Sequence, residues 1–433
     1  MTAPRFIQVH FLASYPGALL NRDDAGLAKR LPFGGATRTR VSSQCLKRHW
    51  RMAEQETDHQ HALQKIALLD GGDFGVRSRR IFENMAKDLV RDGFDASRSA
   101  ETVATLVHRI FEEEQERKPS KDEPDPFRHL RFEQAFLIGW PEYNYLKELC
   151  RRVLNNEADA VAALAAKRKN KNASLTPLQA EIKKNLDKNL KELRKSARVP
   201  QSLEAALFGR MVTSDLMANW DASIHVAHAF TVHDEQPELD YFTVVDDLKS
   251  PEEEDAGAAG VFDTELTSGL YYGYVVVDVP LLVSNLTGCE RRAWAGLAEG
   301  ERDLAGRVVE NLVHLVATVS PGAKRGSTAP YAYADLILVE AGERQPRTLA
   351  NAFRDPVQPP RTRDDLERGD TLARRTARRM AAEMADIDGM FGLHEVRLQA
   401  ARGQAVLDGV EALTLPALAA RAGAMVRRAA TAD

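Results

Sequence analysis

Between Arg38 and Arg51 the chain reads RTRVSSQCLKRHWR, with five basic side chains and no acidic one. In an extended backbone alternate side chains share a face, so Arg38 and Arg40 project together. Ser42 and Ser43 then offer a hydroxyl N-cap, and the composition from Gln44 to Glu56 favours a helix. On that helix Gln44, Lys47 and Arg51 fall on one stripe with Arg48 beside it, while Leu46 and Trp50, four apart, turn inward. A helix start carries unpaired backbone N–H groups and the positive end of the helix dipole. Cations and hydroxyls converging on such a start suit phosphate. From Arg22 to Arg51, a window that adds Lys29, there are eight basic residues against two acidic ones. A solvated charged face has the same composition and is the alternative.

Other constellations compete for a chemical role. Asp23-Asp24 and Asp246-Asp247 are adjacent carboxylates. A metal-dependent ribonuclease would need them to gather a cation with further ligands. Paired Asp residues also cap turns or pair with cations such as Arg22. His225, His228 and His233 are close in sequence, but on a strand His228 points away from the other two, so no metal site is expected. GAKRGST, residues 322–328, sets Lys324 and Arg325 before its second glycine and lacks the spacing of a nucleotide phosphate loop. It reads as a basic turn, beside RNA or simply solvated. Tyr271, Tyr272 and Tyr274 form either a base-stacking surface or ordinary strand packing. No catalytic residue, cofactor or metal is assigned.

These side chains need a frame. The chain has 433 residues, 44% of them hydrophobic, which is enough for a packed interior in more than one domain. Lys plus Arg is 59 and Asp plus Glu is 63, so the net charge is −4. That excludes a uniformly basic nucleic-acid coat but leaves room for a local basic groove. Cys45, Cys150 and Cys289 are too scattered for a disulfide framework or a CxxC metal site. No apolar run has the length of a membrane span, and MTAPRFIQVHF enters a strand-like pattern without a signal peptide. A cytoplasmic protein is expected.

Phe6 to Ala13 reads as a first strand, ended at Tyr15-Pro16-Gly17. Ser223 to His233 reads as another. Tyr241 to Leu248 and Thr264 to Val279 are two β arms around the acidic tip SPEEEDAGAAG, a projecting hairpin whose residues Glu252 to Asp255 should avoid phosphate. Val308, Leu312, Leu315 and Val319 line one face of a helix, and Ala334 to Glu340 is a last strand before an Arg- and Ala-rich helical tail. Residues 60–200 differ, being charged, mainly helical and interrupted at EEEQERKPSKDEPDP. Within them, residues 167–198 carry eleven basic and three acidic side chains. With that block and the hairpin set aside, the order is strand, helix, strand, strand, helix, strand. This is the ferredoxin-like order shared with RNA-recognition modules.

LNRDDAGLAKRLPFGGATRTRVSSQCLKRHWR (20–51) resembles the start of the CasC-type backbone subunit of the type I-E CRISPR Cascade. ALFGRMVTSDLM, SIHVAHAFTVH, YFTVVDDL, SGLYYGYVVVDV, PGAKRGSTAPYAYADLILVE and LANAF match that family in the same order. The resemblance implies an α+β fold with a ferredoxin-like RNA-recognition palm, a helical fingers insertion and a β-hairpin thumb. The corresponding division is palm at 1–59, fingers at 60–200, palm at 201–230, thumb at 231–270 and palm with a helical tail at 271–433. It further implies a non-catalytic protein whose copies associate head to tail along one CRISPR RNA, beside other Cascade subunits. Target DNA is then read by pairing with the guide. Arg22, Lys29, Ser42, Gln44, Lys47 and Arg51 would face guide phosphates. Met211 would wedge against bases, and Phe242 and Val245, with Tyr241 beside them, would intercalate or stack. The remaining expected RNA contacts are Arg38, Arg40, Ser43, Arg48, Lys324 and Arg325. A generic single-strand-binding module and a ribonuclease are the competing readings.

Overall fold

The computed structural model describes residues 4–69, 74–111, 123–165, 202–210, 219–243, 261–392 and 395–428. Met211, Val245, Asp246-Asp247, the acidic tip and the basic stretch 167–198 lie outside the described residues. The chain is α+β and forms two compact units. One is Met1–Ile66 with Ile224–Pro280 and Ala295–Asp433, and the other is Ala67–Ser223 with Leu281–Trp294.

The first unit is built on one large sheet. Its strands are β1 (Phe6–Ala18), β2 (Arg30–Phe33), β3 (Ala36–Val41), β6 (Ile224–Val226), β7 (Ala229–Thr231), β8 (Pro237–Thr243), β9 (Val261–Asp278), β10 (Leu336–Gly342), β11 (Val396–Ala401) and β12 (Glu411–Ala412). The order is β12-β11-β10-β1-β9-β7-β3-β2, with β6 and β8 also paired to β9. Neighbours are antiparallel except β11 and β12. β1 is buried almost throughout, since both sheet faces are covered. On one face Leu12, Tyr272, Leu336 and Leu338 pack with Phe353, Val357, Met380 and Met384, the last two from helix Leu372–Phe391. The other face carries Ile7, Val9 and Phe11, against helix Asp303–Thr318. Phe11 lies opposite Gly273, where a Cβ would come within 2.1 Å of the ring, so only glycine fits beneath it.

Three strand readings need correction. β1 does not end at Tyr15-Pro16-Gly17 but runs through them to Ala18, with a shift of register against β9 there. Ser223–His233 is not one strand. Val226 pairs with Val275 and Phe230 with Tyr272, so four steps on one side oppose three on the other. This one-residue bulge splits the run into β6 and β7 and re-aims the side chains between them. The hairpin arm expected from Tyr241 begins earlier, at Pro237, and pairs through Thr243 with Val261.

The second unit holds the two-stranded pair β4 (Val76–Ser78) and β5 (Phe136–Ile138) and the helices Ile81–Arg91, Ala96–Phe111 and Trp140–Ala165. Phe82, Met85, Leu89, Val103, Val107, Leu146 and Cys150 fill its interior. Within it Glu83 is buried and accepts from Lys87 at 2.7 Å and Arg131 at 2.9 Å. Burial alone would raise this carboxyl, but those two cations hold it down at about 2.

Candidate nucleic-acid interface

α1 runs from Ser43 to Arg51, and Met52 separates it from α2, Ala53–Thr57. Ser42 is extended and its Oγ accepts from the Cys45 N–H at 3.3 Å, which is an N-cap. Its own N–H is taken by Asn21 Oδ1 at 2.9 Å. No acidic side chain stands in the first turn, and Arg48, His49 and Arg51 stand in the last. Leu46 and Trp50 are buried, as their spacing requires. Gln44 and Arg48 are exposed, and Lys47 and Arg51 are half-buried on the adjoining stripe. Ser43 is buried and its Oγ donates to Gln44 Oε1 at 3.2 Å.

The acid missing from α1 comes from α2. Glu56 accepts from Arg48 at 2.8 Å, Arg325 at 2.5 Å and His49 at 3.1 Å. Burial opposes ionisation of this carboxyl, but the hydrogen bonds from His49 and Arg325 outweigh it and hold it below its ordinary range. Arg325 is thereby fixed against the C-terminal end of α1 instead of standing in a free turn.

The loop before β2 is a second basic element. Asp23 Oδ1 accepts from the Ala25 and Leu27 N–H groups at 2.9 and 3.0 Å, so this carboxylate caps a turn. Arg22 is exposed beside it and bridges to Ala28. Lys29 is half-buried, and its N–H donates to the Asn21 carbonyl at 2.9 Å. Arg30 pairs with Glu235 and Glu265, and Glu265 also accepts from the Ala28 N–H at 2.6 Å. The loop is thus tied to the base of the β8–β9 hairpin on one side and to the α1 cap on the other.

Arg40 donates to the Arg30 carbonyl at 3.0 Å and to His228 Nδ1 at 2.9 Å. Partial burial and the charges of Arg40 and Lys29 lower the His228 pKa, so it stays a neutral acceptor. Arg38 is a correction. Its side chain is fully buried, and its guanidinium donates to the carbonyls of Thr231, Phe353 and Arg354 at 3.1, 2.9 and 3.4 Å. It is an internal tie, not a surface cation. The same contact explains Gly34, at φ +61, where a Cβ would lie 1.5 Å from the Arg354 carbonyl oxygen.

On the hairpin, Tyr241 is 69% and Phe242 42% exposed. Successive residues of a strand face opposite ways, so the two rings serve different faces. Lys324 stands on the Phe242 face. Its Nζ donates to Thr264 Oγ1 at 2.6 Å and lies 5.9 Å from the Phe242 ring centroid. The strand tyrosines Tyr271 and Tyr272 are buried packing residues. Among the described residues no group of three or more His, Cys, Asp or Glu is placed to hold a metal ion. No described helix is long and apolar enough to cross a membrane. Sequence reasoning missed Glu56 and Glu265, which organise the cations, and the exposed Tyr331 and Tyr333.

A capped, cation-faced helix beside a hairpin with exposed rings is therefore one continuous feature of the first unit. Residues 7–422 match the model of the CT1975-like protein family. The chain belongs to the CT1975-like protein family. No curated protein matches it. Among solved structures, one similar chain comes from a "CRISPR RNA-guided surveillance complex, pre-nicking", with 24% identity, a TM-score of 0.71, and coverage of 97% of this chain and 100% of that one. A second, from a "CRISPR RNA-guided surveillance complex", has 21% identity, a TM-score of 0.61, and coverage of 97% and 99%. At these identities the likeness is one of fold, and it spans nearly the whole length of both this CT1975-like chain and its counterparts.

Proposed function

We propose that this chain is a non-catalytic, CRISPR RNA-binding backbone subunit of a type I-E Cascade-like surveillance complex in the cytoplasm. Copies associate head to tail along the guide and present it to target DNA, beside other subunits of the complex. The observation that carries this reading is the solvent face of α1, where Gln44, Lys47, Arg48 and Arg51 surround a Ser42-capped helix. Membership of the CT1975-like family and the likeness to chains of RNA-guided surveillance complexes support a CRISPR RNA as the ligand of that face. The strand order β10-β1-β9-β7, antiparallel throughout, supports an RNA-recognition-like palm, since it is the order a split βαβ unit makes. The β8–β9 hairpin is the proposed thumb, with Phe242 as its wedge. Asp23, engaged in capping its own turn, gives the ribonuclease reading no support.

Sequencing of RNA that co-purifies with the protein tests this reading. Fragments of one length carrying CRISPR repeat sequence are expected, and mixed cellular RNA would replace the reading with generic single-strand binding. If about five phosphates are held per copy, log affinity should fall with log salt at a slope of about −3.5 per copy.

A further inference from the structure

The first unit contains a cleft of about 700 Å³ that none of the expected RNA contacts except Arg325 explains. Its wall includes Glu56, His59, Arg325, Tyr331, Tyr333 and Arg402. Tyr331 and Tyr333 are 67% and 68% exposed, unusually open for large rings. Their backbone is nevertheless pinned. Ala332 N–H donates to Ser320 Oγ at 2.9 Å, and Ser320 Oγ donates back to the Ala332 carbonyl at 2.8 Å. Ala334 N–H donates to the Ala317 carbonyl at 2.8 Å, and Asp335 N–H to that of Leu12 at 2.7 Å. Residues 332 and 334 are anchored inward, so the alternate rings at 331 and 333 are presented outward from a fixed main chain. Arg402 is held beside them through Asp335 at 2.8 Å.

Two further facts mark the place. Among the described residues only Asp58 and Ala329 are non-glycine residues with positive φ, at +46 and +41. Both are neighbours in sequence of the cleft wall, Asp58 between Thr57 and His59 and Ala329 two before Tyr331. Each is the left-handed C-cap of a short helix, α2 and Arg325–Thr328, so two fixed helix ends frame the cleft. The cleft is also continuous with the cation face of α1, because Glu56 joins Arg48 to Arg325.

We propose that Tyr331 and Tyr333 form a stacking platform for a nucleobase of a single strand whose phosphates lie on α1. This rests on the reading of the α1 face given above. The chemistry favours a base over an apolar partner, since two rigid rings flanked by guanidinium groups offer π-faces and cationic edges together. Stacking of this kind tolerates any base and needs no sequence-reading contact.

The test uses the full chain and a 5-iodouridine-substituted oligoribonucleotide of about twenty nucleotides, a length that exceeds the site sizes usual for single-strand binders. Irradiation should give an adduct on the peptide carrying Tyr331 and Tyr333. Tyr331→Ala with Tyr333→Ala should weaken binding roughly tenfold with the salt slope unchanged, and the two Tyr→Phe changes should restore it. Arg48→Ala should instead lower the slope by about 0.7, since it removes a phosphate contact. RNA bound with a normal slope but no adduct and no loss in the double alanine variant overturns the platform and leaves the α1 reading standing. Unaltered affinity with lost self-association assigns the cleft to a contact between copies and also overturns it. Failure of the unaltered protein to bind the oligoribonucleotide overturns the α1 reading and the platform with it.

Discussion

Glu340 and Glu56 are the same residue in nearly the same company, and they do different work. Glu340 is fully buried and takes His10 at 3.0 Å, both Arg347 amino groups at 2.6 and 2.8 Å, and Arg397 at 2.7 Å. Arg397 continues to Asp388 on helix Leu372–Phe391, and His10 to Tyr272. Glu56 takes His49, Arg48 and Arg325, but the Arg48 side chain is 54% exposed. In the first cluster every charge is answered inside the protein, and the result ties three strands, β1, β10 and β11, to a helix. In the second the outer arginine faces water, where a phosphate can compete for it. Burial, not residue identity, decides whether such a cluster is a tie or a site.

The largest effect that would break this contrast is on Glu340. Glu340→Ala leaves the half-buried Arg347 without its carboxylate and the buried His10 without its partner, and should cost about 3–5 kcal/mol of stability, measured by denaturant unfolding. A loss below about 1 kcal/mol, the range of exposed pairs, would place Glu340 with the surface clusters.

Acid separates buried charge from buried base. Burial would raise the Glu340 carboxyl, but Arg347 and His10 hold it far below its ordinary range. Its contribution is therefore present above its unfolded pKa and lost only as pH falls through the folded one. His314 works higher. Burial first, then the neighbouring His61, lower it to about 4 from 6.5. The unfolded chain binds the proton more readily in that window, so stability falls as pH drops from 6.5 to 4, by up to about 3 kcal/mol. His314→Gln should flatten the melting-temperature profile between those pH values and leave the steeper loss below them. An unchanged profile would exclude His314 as the source.

On the surface side, Lys47→Glu with Arg51→Glu should reduce guide affinity at least about a hundredfold and lower the salt slope by about 1.4 while the melting temperature holds. Unchanged RNA occupancy would remove the phosphate role of α1. The smallest effect sharpens the comparison most. Glu56→Gln should cost under about 1 kcal/mol, as exposed pairs do, and tighten RNA binding a few-fold by freeing Arg48. Weaker binding would mean that Glu56 positions the arginine instead of competing with phosphate.

Much of this arrangement is legible in the sequence because it is local. The α1 cap, its buried Leu46 and Trp50, and its cation stripe all follow from positions within about two turns. The hairpin arms follow from alternation around an acidic tip. What was not legible is what distant segments do to a local pattern. Arg38 and Arg40 alternate alike, yet carbonyls at Phe353 and Arg354 draw the first inside. Tyr271 and Tyr331 are one residue type in aromatic-rich runs, but only the first has a sheet neighbour and a helix to cover it. The bulge between β6 and β7 leaves no mark in SIHVAHAFTVH, because it depends on the register of β9.

β9 is unbroken from the hairpin at Val261 to Asp278, and midway, at Tyr271 and Tyr272, it lies between β1 and β7 in the middle of the sheet. A load applied at the hairpin cannot be absorbed at a joint within the strand. It arrives at the middle of the fold, so one peptide serves as both outrigger and keel.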